Sequence, residues 1–313
     1  MKIKERNSAV LSLLAACLVT MFAIVPLGWA QKAQGAGVPV HMIVTVEPRH
    51  GNEPPPISRD DVRVNQGHER LQVTGWAPLQ GNIAGIELYL LIDDSLGANF
   101  STRIGDLQNF VRQQPETTAI GVAYMHNGTI DVVQKPTRDH EAAAKSIRLP
   151  QGVSEGSSYE SLVDLIKQWP VSGSRREVLM LSHGIEPYGP AETSNPSVEK
   201  AIATAQRAEI PVFTVYSPAI GHWGHSWWRA TWGETYLSQL ADETGGEGYG
   251  RIGFDSVSFA PYLDQINQRL RHQYELTFLA KAQKSAGMQQ VRVTTEVPNV
   301  DLVAADAVFV PAA

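Results

Sequence analysis

The chain has 313 residues, of which 43% are hydrophobic and 19% charged, with a net charge of −6 and a single cysteine. That length can bury a sizeable core and hold two domains, and the composition excludes disorder as the ruling state. The acidic balance argues against a nucleic-acid partner, which would need clustered Lys and Arg, and one thiol excludes a disulfide framework.

Residues 1–30 read as a secretory signal. Lys2, Lys4 and Arg6 form a basic start, an apolar stretch runs from about Ala9 to Leu27, and Gly28-Trp29-Ala30 offers small residues for cleavage. Cleavage after Ala30 predicts a secreted or periplasmic protein with no thiol and no transmembrane helix, since no second segment is long enough to span a bilayer. The alternative takes Leu14-Ala15-Ala16-Cys17 as a lipobox that anchors the chain through Cys17.

Residues 31–84 carry short alternating runs, Val40 to Val46, Asp61 to Val64 and Arg70 to Trp76, around Gly- and Pro-rich stretches, which predicts strands without helices. From Ile86 apolar strands alternate with amphipathic helices, the rhythm of a parallel sheet with crossover helices. The run Ile86 to Ile92 ends on Asp93-Asp94-Ser95-Leu96-Gly97, where a buried strand meets its C-terminal loop and α/β sheets place ligands. Ile104, Leu107 and Val111 mark the inner face of the next helix. Ala119 to His126 and Thr129 to Gln134 flank Asn127-Gly128, a hairpin signal that predicts one antiparallel edge strand. A helix from Ser157 buries Tyr159, Leu162, Val163 and Ile166, and the strand Glu177 to Leu181 ends at Ser182-His183-Gly184. Asn195-Pro196 caps a helix with Val198, Ala201, Ile202 and Ala205 inward. The strand Pro211 to Tyr216 follows, then helices at Thr235 to Thr244, closed by Gly245-Gly246, and at Phe259 to Arg271. Residues 273–313 return to strands, Tyr274 to Ala280, Val291 to Val297 and Ala307 to Pro311, expected to pair with residues 31–84 in a small sheet or sandwich.

Taken in order, these pieces resemble the von Willebrand factor type A domain: a strand ending in Asp-x-Ser, an edge hairpin, a Ser-rich helix start, a strand ending in a polar-Gly turn, and the Leu-x-x-Leu-Ala-x-x-Thr-Gly-Gly segment Leu237 to Gly246. The resemblance runs from about Gly85 to Arg271. It implies a domain over 85–272 with a doubly wound, Rossmann-like, mostly parallel sheet. The strand-rich flanks and Gly221-His222-Trp223-Gly224-His225-Ser226-Trp227-Trp228 resemble an exported bacterial subgroup.

The resemblance further implies a metal-ion-dependent adhesion site, built from Asp-x-Ser-x-Ser, a Thr in a second loop and an Asp in a third, whose metal takes a carboxylate from a protein partner. Asp93 and Ser95 match, Gly97 replaces the second Ser, Ser157 or else Ser158 stands near the Thr, and His183 stands where the Asp belongs. An oxygen-only set suits Mg²⁺, Ca²⁺ or Mn²⁺, whereas imidazole shifts preference toward Zn²⁺, Ni²⁺ or Cu²⁺. Three readings stay open: a relic whose loops bind a partner without metal, a site whose charge Asp94 restores, and a transition-metal site using His183 with His222 or His225. The plainer reading of Asp93 and Asp94 is capping, and Ser157 with Glu160 forms a capping box.

Trp223, Trp227, Trp228 and Trp232 crowd into ten positions. They are either a partner-binding loop over the ligand edge or rings folded down as core. Gly224-His225-Ser226 and Ser182 each sit in an incomplete Gly-x-Ser-x-Gly context, and there is no HExxH. The expectation is a non-enzymatic protein-binding module.

Overall fold

A strand whose two faces both meet helices reads as an unbroken apolar run, because neither face sees water. The computed structural model describes residues 37–80, 85–152, 156–188, 191–218, 226–253, 256–281 and 283–312. The expected signal segment, Cys17 and the stretch with His222, Trp223 and His225 lie outside the described residues.

Strands β1 (Val38–Pro48), β2 (Val62–Gln66) and β3 (Glu69–Pro78) come first, then β4 (Ile86–Asp93), α1 (Ile104–Arg112), β5 (Thr118–His126), β6 (Thr129–Thr137), α2 (His140–Ser146), α3 (Ser158–Gln168) and β7 (Arg175–Ser182). After these come α4 (Pro196–Arg207), β8 (Val212–Tyr216), α5 (Trp227–Thr244), β9 (Gly248–Tyr249) and α6 (Ala260–Arg271). The chain closes with β10 (Gln273–Ala280), β11 (Gly287–Gln290), β12 (Arg292–Thr295), β13 (Val300–Ala304) and β14 (Ala307–Val310).

One six-stranded sheet has the order β6-β5-β4-β7-β8-β9. It is parallel throughout except for β6, which pairs antiparallel with β5 at the edge. The turn between them uses Asn127 and Gly128 with φ of 51° and 79°, the left-handed pair that a tight hairpin requires. Successive residues of β4 serve opposite faces: Leu88, Leu90 and Ile92 pack against α1, α2 and α6, while Tyr89 and Leu91 pack against α3, α4 and α5.

A second sheet, β12-β2-β3-β10-β1-β13, is antiparallel and joins strands from both ends of the described chain. Val40 pairs with Phe278 and Val46 with Leu302, and alternate residues from these strands form a third core around Val44, Val64, Leu276 and Phe278. Its edge strands β12 and β13 come within 8 Å of each other, so the sheet curls. β11 and β14 pair separately.

Sequence reasoning missed α2, which Asp139 caps by accepting from Ala142 N–H. Its Glu141-Ala142-Ala143-Ala144 run has the propensity for a helix but buries only Ala143 and Ala144, too little to show an apolar stripe. β11 and β13 were missed as well, both short, with few fully buried residues. The helix expected from Thr235 begins at Trp227, where the Ser226 hydroxyl accepts from Arg229 N–H. Among the described residues no helix is long and apolar enough to cross a membrane.

Candidate functional site

Parallel strands deliver their C-terminal ends to one edge, and here β4 ends on Asp93 and β7 on Ser182, side by side, with the N-terminus of α3 beside them. The loop after β7 is held against α5 backbone to backbone. Gly184 has φ +67°, and a Cβ there would lie 2.2 Å from the Gly233 carbonyl oxygen. A Cβ on Gly156, ahead of α3, would lie 2.2 Å from the Asn127–Gly128 backbone. These approaches fix where His183 and Ser158 project.

Asp93 is 3% exposed, and a carboxylate so placed must find donors. Its Oδ1 accepts from Ser95 N–H at 3.0 Å and from Ser95 Oγ–H at 2.5 Å. Its Oδ2 accepts from Ser158 Oγ–H at 3.0 Å and Ser182 Oγ–H at 2.7 Å. Ser182 Oγ in turn accepts from Gly184 N–H. One carboxylate therefore ties together β4, α3 and β7.

His183 completes the cluster. Its Nδ1 accepts from Ile185 N–H at 2.9 Å, so in the neutral ring the proton sits on Nε2. Nε2 lies 3.0 Å from Ser95 Oγ and 3.5 Å from Asp93 Oδ2. The result is a chain of donors running from the imidazole through Ser95 to the carboxylate.

The other predicted residues divide. Ser158, not Ser157, reaches Asp93. Ser157 caps α3 by accepting from Glu160 N–H at 3.2 Å, and its hydroxyl donates to Glu186. Burial raises the Glu186 carboxyl above the usual range, against the lowering effect of the Ser157 hydrogen bond. Asp94 does not restore charge beside Asp93, because its carboxylate is held by Arg148 at 2.7 and 3.2 Å and by Gln151 N–H at 2.9 Å. Arg148 itself stacks over the Tyr124 ring, 3.7 Å from its centroid. Glu186 and Arg148 carry no motif, and no signal in the sequence marks them. Ser182 was visible only as the serine closing a strand.

The tryptophans correct an expectation. Trp227, Trp228 and Trp232 lie on α5, not in a loop. Trp232 stacks on Tyr236 at 5.6 Å against the core, whereas Trp227 is 72% and Trp228 54% exposed. Tyr188, in the segment leaving β7, is 63% exposed.

Two chemistries can be tested against this geometry. A serine nucleophile needs its histidine to accept the hydroxyl proton, yet the imidazole donates toward Ser95 and the Ser95 proton goes to Asp93. A hard cation needs several oxygens with free lone pairs and net negative charge. Here one carboxylate is saturated by four donors, the Asp94 carboxylate is neutralised by Arg148, and a protonated nitrogen points at the carboxylate. Among the described residues no three His, Cys, Asp or Glu side chains converge to hold a metal. The described residues do not fit a divalent ion.

No family model matches the chain, and a search of curated proteins returns no match. Among solved structures the chain is similar to proximal thread matrix protein 1 from the mussel byssus, with 11% identity, 58% of this chain covered and a TM-score of 0.42. It spans only 47% of that protein's length. It is similar to the ArnB paralog VWA2 from Sulfolobus acidocaldarius, with 10% identity, 86% of this chain and 76% of that one covered, and a TM-score of 0.39. It is also similar to the vWF domain of the type V pili tip protein Mfa5 from Porphyromonas gingivalis, with 11% identity, 58% and 95% covered, and a TM-score of 0.39.

Proposed function

We propose that this chain is an exported, non-enzymatic binding module of von Willebrand A type, with a doubly wound domain over 85–272. In this reading residues 31–84 and 273–313 form a β module beside it, and residues 1–30 are a cleaved signal, with Cys17 lipidation as the minor alternative. A protein partner docks on the loops after Asp93, Gly156, His183 and Tyr216, without nucleic acid.

The observation that carries the docking reading is the exposure of Trp227, Trp228 and Tyr188 on segments leaving the C-terminal ends of β8 and β7. Large rings left in water at a sheet edge where α/β folds bind ligands suit a contact surface, since Trp and Tyr dominate interface energies. A partner carboxylate held through a cation has no support in the donor set around Asp93, so docking is assigned to the aromatic surface.

Envelope and culture fractions from the source cell, captured on wild-type protein and on Trp227→Ala/Trp228→Ala, test this. The expected result is a partner retained by the wild type and lost, by tenfold or more, on the double variant, about 1.4 kcal/mol. Equal capture by both refutes the docking surface. N-terminal sequencing of the exported protein, with Gln31 first, tests the signal.

A further inference from the structure

We infer that His183 replaces the cation of the adhesion site: its Nε2–H occupies the approach between Asp93 and Ser95, and the edge is held together without any metal.

A cation in such a place acts as a tie. It draws a strand-end carboxylate and hydroxyls from neighbouring loops to one point, so that three segments share one geometry. In this chain the same convergence is achieved by protons. Ser95 sends both its N–H and its hydroxyl to Asp93 Oδ1, Ser158 and Ser182 send theirs to Oδ2, and the imidazole sits 3.0 Å from Ser95 Oγ. Each of those hydroxyls lies within hydrogen-bond distance of the carboxylate, while Gly97 and His183 bring neither a further hydroxyl nor a further carboxylate to that point. The imidazole cannot turn its nitrogen lone pair inward while Nδ1 takes the Ile185 N–H, because the remaining nitrogen then carries the proton.

Two further features agree. Gly97, where a second hydroxyl ligand would stand, has φ −75° and ψ 170°, a conformation any residue adopts, so glycine is not required there by the backbone. Asp94 is turned away onto Arg148 and Glu186 is held by the Ser157 hydroxyl and Tyr188 N–H, so Asp93 is the carboxylate that faces the imidazole. A site emptied of ligand oxygens and filled by an internal donor needs no cation. This inference concerns the same edge as the docking reading, but its test reads metal instead of partner, so either can fail alone.

The test is thermal unfolding and titration calorimetry of the full chain with Mg²⁺, Mn²⁺, Ca²⁺ and Zn²⁺ against EDTA. Wild type is expected to shift by no more than about 1 °C with any of them, as a protein without a site must. Gly97→Ser/His183→Asp restores the missing hydroxyl and carboxylate, and is expected to gain at least about 3 °C with Mg²⁺ or Mn²⁺. A wild-type shift that Asp93→Asn abolishes overturns the inference, and so does a folded double variant that ignores every cation. Should the double variant not fold, His183→Asn decides. Its melting temperature must fall by about 3 °C or more, and an unchanged value overturns the proposal because the imidazole would not be holding the site.

Discussion

Asp93 and Glu47 are carboxylates withdrawn from water, and the molecule treats them in opposite ways. Asp93 is surrounded by hydroxyls, one amide and one imidazole, with no Lys or Arg among the described residues in contact, and each of its oxygens takes two hydrogen bonds. Glu47, at the end of β1, is answered by charge. Arg269 on α6 bridges it and Glu247, with Nη2 2.9 Å from each carboxylate. Arg269 Nη1 is in ion contact with Glu47 Oε1 as well. Burial pushes the Glu47 carboxyl up to about 7 despite Arg269, with Glu247 and Asp301 adding to the rise. Neutral donors aimed from three segments make a rigid polar joint, whereas an arginine shared between two carboxylates leaves one of them ready to take a proton.

The largest effect expected from this contrast is at Asp93. In Asp93→Ala the Ser158 and Ser182 hydroxyls lose their acceptor in a buried place and the Ser95 hydroxyl and amide lose theirs in a partly buried one, and each group orphaned away from water costs on the order of 1–3 kcal/mol. Some hydroxyls will re-pair with one another, as Ser158 and Ser182 already lie 2.9 Å apart, so a net loss of roughly 3 kcal/mol or more is expected in urea unfolding. A loss under about 1 kcal/mol would mean the cluster is not a joint.

The next effect is a pH dependence with a definite sign. Unfolded, Glu47 releases its proton near 4.5, and folded, near 7. Between those values the native state binds more protons than the unfolded chain, so stability falls as pH rises through that window and recovers as pH drops below it. Other carboxyls raised by burial, among them Glu186 and Asp306, slope the same way, so the informative quantity is the difference between wild type and Glu47→Gln. The variant should gain on wild type by roughly 2 kcal/mol between pH 5 and 8 once partial exposure is allowed for. A constant difference across that range would show that Arg269 keeps Glu47 ionised.

These two clusters also mark what a linear sequence discloses. The place of Asp93 at a strand end was legible because an apolar run of strand length stops on it, and the hairpin and the α4 cap were legible because Asn127-Gly128 and Asn195-Pro196 are local signals whose physics lies within a few residues. The choice of Ser158 over Ser157 was not. Adjacent helical residues point about 100° apart, so a misalignment by one residue exchanges a cap for a carboxylate partner. Arg148, 54 positions from Asp94, and Glu186 depend on where two loops meet, which no spacing encodes. The Glu47–Arg269 pair, 222 positions apart, is invisible for the same reason.

The smallest expected effect separates packing from contact at the aromatic end of α5. Trp232 and Trp228 lie four positions apart on one helix, yet Trp232 is partly buried, stacked on Tyr236 against the core, and Trp228 is more than half exposed. Rings that keep more than half of their area in water contribute less to stability than a packed one, so Trp227→Ala/Trp228→Ala should cost no more than about 1 kcal/mol of unfolding free energy. Trp232→Ala removes a packed ring and should cost roughly 2–3 kcal/mol. That difference is what the proposed docking surface requires: exposed rings at the start of α5 that the fold does not need. If the double variant were as unstable as Trp232→Ala, the exposed rings would be structural and the docking surface would have to be sought elsewhere on the edge.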